Sequence, residues 1–198
     1  MNENYEQPQM PEGTEEGIVK GIYKLDTLSA SSAKASVKLL GSGTILLQVR
    51  EAAKILQEEF SVTAEVYSVT SFNELGRDGV DAERHAMLNA DSERKAYITE
   101  VLEKGVAGPT IAATDYLKAY ADQVRAYVPG AYKVLGTDGF GRSDSRANLR
   151  HHFEVDAKFI VVASLHELVK SGDLDKSVWL QALERFDIDP AKINPLYA

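Results

Sequence analysis

The sequence predicts an α/β fold, a mostly parallel sheet with helices on both faces and an N-terminal edge strand or hairpin. Short β-branched and apolar runs alternate along the chain with longer segments in which apolar residues recur every three or four positions. Glycine, proline and short polar stretches separate these segments. Alternating strands and helices are typical of a largely parallel sheet that is covered on both sides.

The composition indicates a single folded domain of 198 residues, of which 44% are hydrophobic. The net charge is −8, so the overall field repels polyanions and we expect no nucleic-acid partner. The chain has no cysteine, which excludes disulfides and thiolate ligands. Residues 1–17 lack the basic and apolar character of a secretory signal, and no apolar run has the length of a membrane span. We therefore expect a cytoplasmic chain without a membrane partner.

Residues 1–34 are predicted to form an interdomain linker or arm with an edge strand, and residues 35–198 the α/β domain. The first part of the arm is rich in Glu, Pro and Gly and has too little apolar surface to fold alone. One strand is expected at 22–25 and the next at 37–40. A polar turn at 29–34 separates them, which suggests that they pair as a hairpin.

A strand, helix, strand unit is predicted next. After Gly41-Ser42-Gly43, apolar residues repeat at helical spacing over 45–60, and a β-branched run at 64–69 predicts the following strand. The crossover between these strands should be right-handed. Residues 72–88 are expected to be helical or irregular, and 97–102 to form a short strand or helix.

Two more strands are predicted at 110–113 and 132–135. Between them Tyr116, Tyr120 and Tyr127 repeat at helical spacing, so we expect a helix whose tyrosines pack in the core with their phenol groups at the surface. The helices that follow have candidate N-caps, which are Ser143 or Ser145, then Asp156, then Asp173 or Asp175.

The Gly41-Ser42-Gly43 turn lies where backbone N–H groups and a helix N-terminus attract phosphate. It lacks both the three-glycine dinucleotide fingerprint and the Lys-Ser/Thr ending of a P-loop. We therefore favour a structural turn over an anion site.

The segment 136–156 is the expected functional surface, because it lies at the predicted C-terminal edge of the sheet, where open α/β folds present loops to ligands. Its charged residues are Asp138, Arg142, Asp144, Arg146, Arg150, His151, His152, Glu154 and Asp156. Three interpretations stay open, namely a solvated or helix-capping salt-bridge network, a surface buried against other domains or a second subunit, and catalysis. The arginines and Phe140 favour the interface.

The histidines do not indicate a metal site or a catalytic base. His151 and His152 point about 100° apart on a helix and cannot chelate one metal from one face. His85 and His166 are isolated in the sequence. The spacing of the remaining residues gives no nucleophile elbow and no serine, histidine, aspartate arrangement.

Residues 136–146 read GTDGFGRSDSR, and NLRHHFEVDA follows at 148–157. In these motifs the chain closely resembles the C-terminal domain of bacterial homodimeric pyruvate dehydrogenases, which are transketolase-like in this region. The opening MNENYEQPQMPEGTEEGIVKGIYKL is similar to that family's junction between its middle and C-terminal domains. GSGTILLQVREAAKIL, YSVTSFNELGRDG and ATDYLKAYADQVRAYVP follow in the family's order, although the family's enzymes are several times longer.

The resemblance implies a parent enzyme that decarboxylates pyruvate on magnesium-bound thiamine diphosphate and passes the acetyl group to lipoyl groups of dihydrolipoyl acetyltransferase. In that family the cofactor lies between the N-terminal and middle domains of two subunits. The implied partners of this chain are therefore those two domains, the second subunit of a homodimer and the acetyltransferase.

The resemblance implies no catalytic, cofactor-binding or metal residue in this chain, which we expect to be inactive alone. Gly136-Thr137-Asp138-Gly139 departs from the family's Gly-Asp-Gly cofactor motif because its glycine and aspartate are not adjacent. An alternative is a regulatory or partner-docking module that binds an anion or a complex subunit through residues 136–156. The candidate interface residues are Asp138, Phe140, Arg142, Asp144, Arg146, Arg150, His151 and His152.

Overall fold

A computed structural model describes residues 5–198, so the first four residues of the predicted arm lie outside the described part. The strands of this part are β1 (Ile22–Leu28), β2 (Ala35–Ser42), β3 (Val62–Val69), β4 (Thr110–Ala113) and β5 (Tyr132–Leu135). The helices are α1 (Glu15–Lys20), α2 (Leu46–Phe60), α3 (Phe72–Leu88), α4 (Tyr97–Glu103), α5 (Lys118–Asp122), α6 (Arg146–His152), α7 (Ala157–Ser171) and α8 (Lys176–Arg185). Short 3-10 turns lie at Gly43–Ile45, Arg125–Tyr127 and Pro195–Tyr197.

The strands form one mixed sheet in the order β1-β3-β2-β4-β5. Strand β2 is parallel to β3 and to β4, and β4 is parallel to β5, whereas β1 is antiparallel to β3. The prediction of a mostly parallel sheet with an N-terminal edge strand is confirmed.

The predicted hairpin between the first two strands is wrong, because β1 pairs with β3 and not with β2. Val37 and the three residues after it are all buried, which suits β2 to the centre of the sheet. Strand β1 is largely exposed beyond Ile22, a pattern suited to an edge. The six residues between the strands let the chain pass β3 before it enters the sheet.

Helices cover both faces of the sheet, as the sequence predicts. Helices α2, α7 and α8 enclose one core cluster, which includes Val37, Leu39 and Leu165. Helices α3, α4 and α5 lie on the other face, over a second cluster that includes Ile22 and Leu40. Within residues 5–198, no helix combines the length and the apolar character needed to cross a membrane.

The predicted helix caps are largely confirmed. Ser145 Oγ accepts a hydrogen bond from the N–H of Asn148 at 3.3 Å, and Asp156 Oδ1 accepts one from Phe159 at 3.0 Å. Asp175, one of two candidates, caps α8 by accepting from the N–H of Ser177 at 2.8 Å. The two segments for which the sequence left alternatives open are the helices α3 and α4.

The predicted tyrosine helix is only partly present. The chain forms the short helix α5 and then a 3-10 turn, so Tyr116 lies before the first helical residue. Tyr116 and Tyr120 are exposed and contact each other with ring centroids 5.5 Å apart, so their predicted core positions are wrong. Tyr127 does pack partly against the core. The sequence pattern failed here because helical spacing has little meaning over a helix of five residues.

Candidate functional site

The carboxyl ends of β2, β4 and β5 lie side by side, because these three strands are parallel and adjacent. The segments that follow them enclose a cleft of about 330 Å³, here called the carboxyl-edge cleft. Its lining residues are Thr44, Ile45, Asp115, Thr137, Gly139, Gly141, Arg142, Arg146, Leu149, Arg150, Phe153 and Val155. Part of the predicted functional segment therefore forms one wall of this cleft.

The loop after β5 is fixed to the loop after β4. The N–H of Thr137 donates to the carbonyl of Tyr116 at 2.9 Å, and Thr137 Oγ1 donates to the carbonyl of Asp115 at 2.8 Å. Asp138 Oδ1 accepts from the N–H of Lys118 at 2.9 Å. Gly136 is buried between the two loops, where a Cβ would contact the backbone of Lys118 and Tyr116 at 2.8 Å. These contacts hold the wall of the cleft in place.

The structure places the predicted Gly41-Ser42-Gly43 turn later than expected, because Gly41 and Ser42 are the last residues of β2. The turn begins at Gly43, which has a φ of 55°. Thr44 Oγ1 donates to Asp115 Oδ2 at 3.3 Å, so a carboxylate of the chain itself lies beside the start of the following helix. This arrangement supports the structural interpretation of the turn.

The arginines of the predicted cluster project from α6 and the loop before it. Arg146 and Arg150 are one helical turn apart and share a face of α6. Both guanidinium groups stack on the ring of Tyr5, at 5.1 Å and 5.5 Å from its centroid. Arg142 Nη1 lies 3.3 Å from His152 Nδ1, and because an arginine only donates, this nitrogen of His152 is the acceptor.

The acidic members of the cluster mostly cap backbone or bind lysine. Hydrogen bonds from Asn148 and from the N–H of Ser145, aided by the charge of Arg142, hold the pKa of Asp144 below its ordinary value. Glu154 accepts from Lys192 Nζ at 3.0 Å. The acids thus stabilise the loop and α6, while Arg142 and Arg150 form no ion pair with a carboxylate of residues 5–198.

The two adjacent histidines face different neighbours. His151 Nδ1 lies 3.1 Å from Asp156 Oδ2, and its ring stacks on Phe159. Partial burial lowers the pKa of His152, and the charges of Arg142 and Lys192 lower it further. His85 and His166 are remote from the cleft lining and contact Ser92 and Trp179 respectively.

Other candidate residues lie outside the cleft. Phe140 is 80% exposed and points away from the core. Asp138 lies on the opposite side of its loop, beside Asn194 and Leu196. The structure thus brings the three arginines together and leaves Asp138, Phe140 and Asp144 outside the cleft lining.

The sequence did not single out the remaining lining of the cleft, although Thr137, Leu149 and Val155 lie within the predicted functional segment 136–156. Thr44, Asp115 and Thr137 follow three different strands, and the rule that parallel strands end at one edge could have brought them together. The apolar residues Ile45, Leu149 and Val155 have no feature in the sequence that distinguishes them from other core or helix-face positions. Using that rule requires the strand order, which the sequence did not provide.

In the described part of the chain, the Gly136–Gly139 turn and the acid some thirty residues after it do not fit a thiamine diphosphate or magnesium site. The carboxylate of Asp138, the only acid in the Gly136–Gly139 turn, is bound by the N–H and Nζ of Lys118, the latter at 3.7 Å. Glu167, some thirty residues further on, is bound by Lys170 and lies 3.5 Å from His166. In residues 5–198 no three His, Asp or Glu side chains are grouped closely enough to hold a metal ion.

The chain is similar in sequence and in structure to known proteins. The family model described as the transketolase-like TK C-terminal domain matches residues 21–156. The pyruvate dehydrogenase E1 component of Escherichia coli strain K12 is 58% identical over the whole chain. The same component from Haemophilus influenzae is 52% identical over the whole chain. The chain spans only 22% of the length of each of these relatives.

Solved structures share the fold. A transketolase from Leishmania mexicana superposes with a TM-score of 0.51 at 19% identity, over 78% of this chain and 19% of its own. A transketolase from Pichia stipitis gives 0.51 at 18% identity, over 85% of this chain and 21% of its own. The family match covers more than half of the chain and agrees with the sheet described above. The chain therefore belongs to the family of transketolase-like C-terminal domains.

Proposed function

We propose that this chain is the C-terminal structural and interface domain of a pyruvate dehydrogenase E1 component. The observation that carries the proposal is the identity of 58% over the whole chain with one fifth of such a component. The proposed parent enzyme oxidatively decarboxylates pyruvate on thiamine diphosphate and transfers the acetyl group to lipoyl groups of dihydrolipoyl acetyltransferase. We propose that it is a cytoplasmic homodimer.

In this proposal the thiamine diphosphate and magnesium are held by N-terminal and middle domains. The relatives are long enough to include such domains, since this chain spans only 22% of their length. The proposed contribution of this chain is a folded surface that contacts those domains. The segments that follow β4 and β5 at its carboxyl edge expose several large apolar side chains, as expected for a surface that other domains cover. They are Tyr116, Leu117, Tyr120 and Phe140.

A chimeric enzyme tests the proposal. The C-terminal 22% of the Escherichia coli E1 component is replaced by this chain, and pyruvate-dependent acetyl transfer is measured beside the enzyme that lacks the segment. We expect the chimera to be dimeric and active, and the shortened enzyme to be inactive. A chimera that is soluble but inactive would contradict the proposal.

A second arm of the experiment tests the exposed surface. Phe140→Asp places a charge on the proposed interface, and Val80→Asp places the same charge at an apolar position on α3 that is 61% exposed. We expect Phe140→Asp to weaken assembly of the chimera and Val80→Asp to leave it intact. Equal effects of the two substitutions on assembly would contradict the proposal that the carboxyl edge is part of the interface.

A second candidate function is a regulatory or partner-docking module that acts through residues 136–156. The observation that favours it is that Arg142 and Arg150 have no carboxylate partner within residues 5–198, although the chain is strongly acidic. Capture of the purified chain by the acetyltransferase core, with and without Arg142→Ala and Arg146→Ala, separates the two. Capture that depends on these charges favours docking, and no capture favours a purely structural role.

A further inference from the structure

The carboxyl-edge cleft has two chemically different parts. Ile45 and Val155 are buried, and Leu149 and Phe153 are partly buried, so these four provide an apolar floor. The polar part of the lining consists of the guanidinium groups of Arg142, Arg146 and Arg150, the hydroxyl groups of Thr44 and Thr137, and the carboxylate of Asp115. A site with both parts suits a ligand that has both an apolar body and a negative head group.

The charge in the cleft opposes that of the chain as a whole. The chain carries −8, yet three of the twelve lining residues are arginines and one is an acid. That acid, Asp115, already accepts a hydrogen bond from Thr44. Asp144, the nearest acid in sequence to Arg142, is bound by Asn148 Nδ2 at 2.8 Å and by the N–H of Ser145 at 2.6 Å. Asp144 is therefore engaged by its own helix, Asp115 is the one carboxylate of the described lining, and Arg142 and Arg150 keep donors for an anion.

Two of the arginines are held in position before any ligand arrives. The ring of Tyr5 stacks on the guanidinium groups of Arg146 and Arg150, which restricts the rotamers of both side chains. Ordering long side chains in advance reduces the entropy that binding costs. Guanidinium groups also donate in pairs to the oxygens of phosphate and carboxylate.

We infer that the carboxyl-edge cleft binds a small amphipathic anion. Arg142 and Arg150 hold a phosphate or carboxylate head group, and Ile45, Leu149 and Phe153 contact an apolar body. A volume of about 330 Å³ is large enough for a small organic molecule. The inference deepens the second candidate function by naming the class of ligand, and it does not depend on the E1 assignment.

Calorimetric titration of the purified 198-residue chain, at fixed ionic strength, tests the inference. Phenyl phosphate and benzoate carry the two possible head groups on one apolar body, inorganic phosphate lacks the body, and benzyl alcohol lacks the charge. We expect phenyl phosphate or benzoate to bind at least about tenfold more tightly than inorganic phosphate or benzyl alcohol. The tighter of the two organic anions identifies the preferred head group.

Variants locate the binding. Arg150→Gln should weaken binding of the preferred anion by about tenfold or more, since one charged hydrogen-bonding group is lost. Arg77→Gln makes the same charge change on α3, at a side chain that is 77% exposed and paired with Glu74, and should leave binding unchanged. Leu149→Ser should weaken binding of the organic anion but not that of inorganic phosphate. Circular dichroism verifies that each variant is folded.

Three results would overturn the inference. They are no saturable binding of either organic anion, equal loss of binding in Arg77→Gln and Arg150→Gln, and equal affinity for inorganic phosphate and the organic anions. If the chimera is active but the chain binds neither organic anion, only the anion-binding inference is contradicted. If the chain binds an organic anion but the chimera is inactive, only the assignment to an E1 component is contradicted.

Discussion

At the scale of single residues, a buried polar network formed by side chains of β2 and β3 fixes the connection between α4 and β4. Lys38 is 5% exposed, and its Nζ donates to the carbonyls of Val106 at 2.6 Å and Gly108 at 3.1 Å. Glu65 Oε2 accepts from Tyr67 Oη at 2.7 Å and from the N–H of Val106 at 2.9 Å. The network buries two charged groups within two otherwise largely apolar strands, and it aligns the chain for entry into β4.

Replacing Lys38 with Met should destabilise the protein by about 1–3 kcal/mol, because two backbone carbonyls would lose their donor inside the fold. The added apolar contact is smaller than this loss, since Lys38 already buries its methylene groups. Urea denaturation measures the difference. Lys133→Met on β5 is the control, because Lys133 is exposed, and its midpoint should match that of the unchanged protein. Equal midpoints for both variants would contradict the role assigned to Lys38.

Glu65 should make stability depend on pH. Burial by itself raises the pKa of Glu65, but hydrogen bonds from Tyr67, Val106 and Lys24 outweigh it and hold the pKa below the ordinary value of 4.5. As pH falls below about 4.5, the unfolded chain takes up the proton first, so this contribution is present at neutral pH and is lost on acidification.

Comparing Glu65→Gln with the unchanged protein at several pH values between neutral and pH 3 isolates this contribution. The variant should be less stable at neutral pH, and the gap should narrow as pH falls through the lowered pKa of Glu65. Glu51→Gln on the exposed face of α2 controls for the removal of one negative charge. A gap that stays constant over the whole range would show that Glu65 does not act through its charge.

At the scale of elements, two glycines of α3 allow this helix to pack closely against the 3-10 turn at Arg125–Tyr127 and the residues before it. A Cβ at Gly79 would overlap the ring of Tyr127, and one at Gly76 would lie 2.7 Å from Gln123 Oε1. Tyr127 is itself held, because its hydroxyl donates to Glu83 at 3.1 Å and its carbonyl accepts from Thr99 at 2.6 Å. Two glycines in α3 thus permit a close contact between two elements that lie on the same face of the sheet.

Gly79→Ala should therefore destabilise the protein by about 1–3 kcal/mol through overpacking, although alanine favours a helix. In a Tyr127→Ala background the overlap is absent, and the same substitution should stabilise by up to about 1 kcal/mol through helix propensity. A double-mutant cycle in urea measures the coupling. Destabilisation of equal size in both backgrounds would exclude the ring as its cause.

At the scale of the whole molecule, the N-terminal part of the chain completes the sheet. Ile22 of β1 is fully buried in the core, and β1 pairs with β3 from Ile22 to Leu28. The domain boundary predicted between residues 34 and 35 stays a prediction. It would separate β1 from the sheet in which β1 is the edge strand. Without β1, the buried strand β3 would present an open edge.

Deleting residues 1–31 should cause self-association or loss of cooperative unfolding, because the apolar edge of β3 would be exposed. Deleting residues 1–12 keeps β1 and should leave cooperative unfolding intact. Sedimentation velocity and thermal melts measure both quantities. A monomeric chain that unfolds cooperatively after the longer deletion would show that β1 is dispensable.

Much of the fold could be read from the sequence because the signals are local. Apolar periodicity predicted α2, a β-branched run predicted β3, and Ser145 and Asp156 marked where helices begin. Of the cleft lining, the sequence singled out the arginines but not the residues that follow the other strands. The arginines of α6 stand together in the sequence, whereas Thr44, Asp115 and Thr137 are brought to them by three separate strands.

By itself, the sequence determined the α/β class, the order of most strands and helices, most of the helix caps and the family resemblance, because each depends on neighbouring residues or on a contiguous motif. Only the tertiary structure decided that β1 pairs with β3, that Tyr116 and Tyr120 are exposed, and that three strand ends enclose a cleft. The physical reason is that strand pairing and burial are set by contacts between residues distant in sequence. The energies of those contacts depend on which strands pair within the sheet, and local sequence patterns do not specify that pairing.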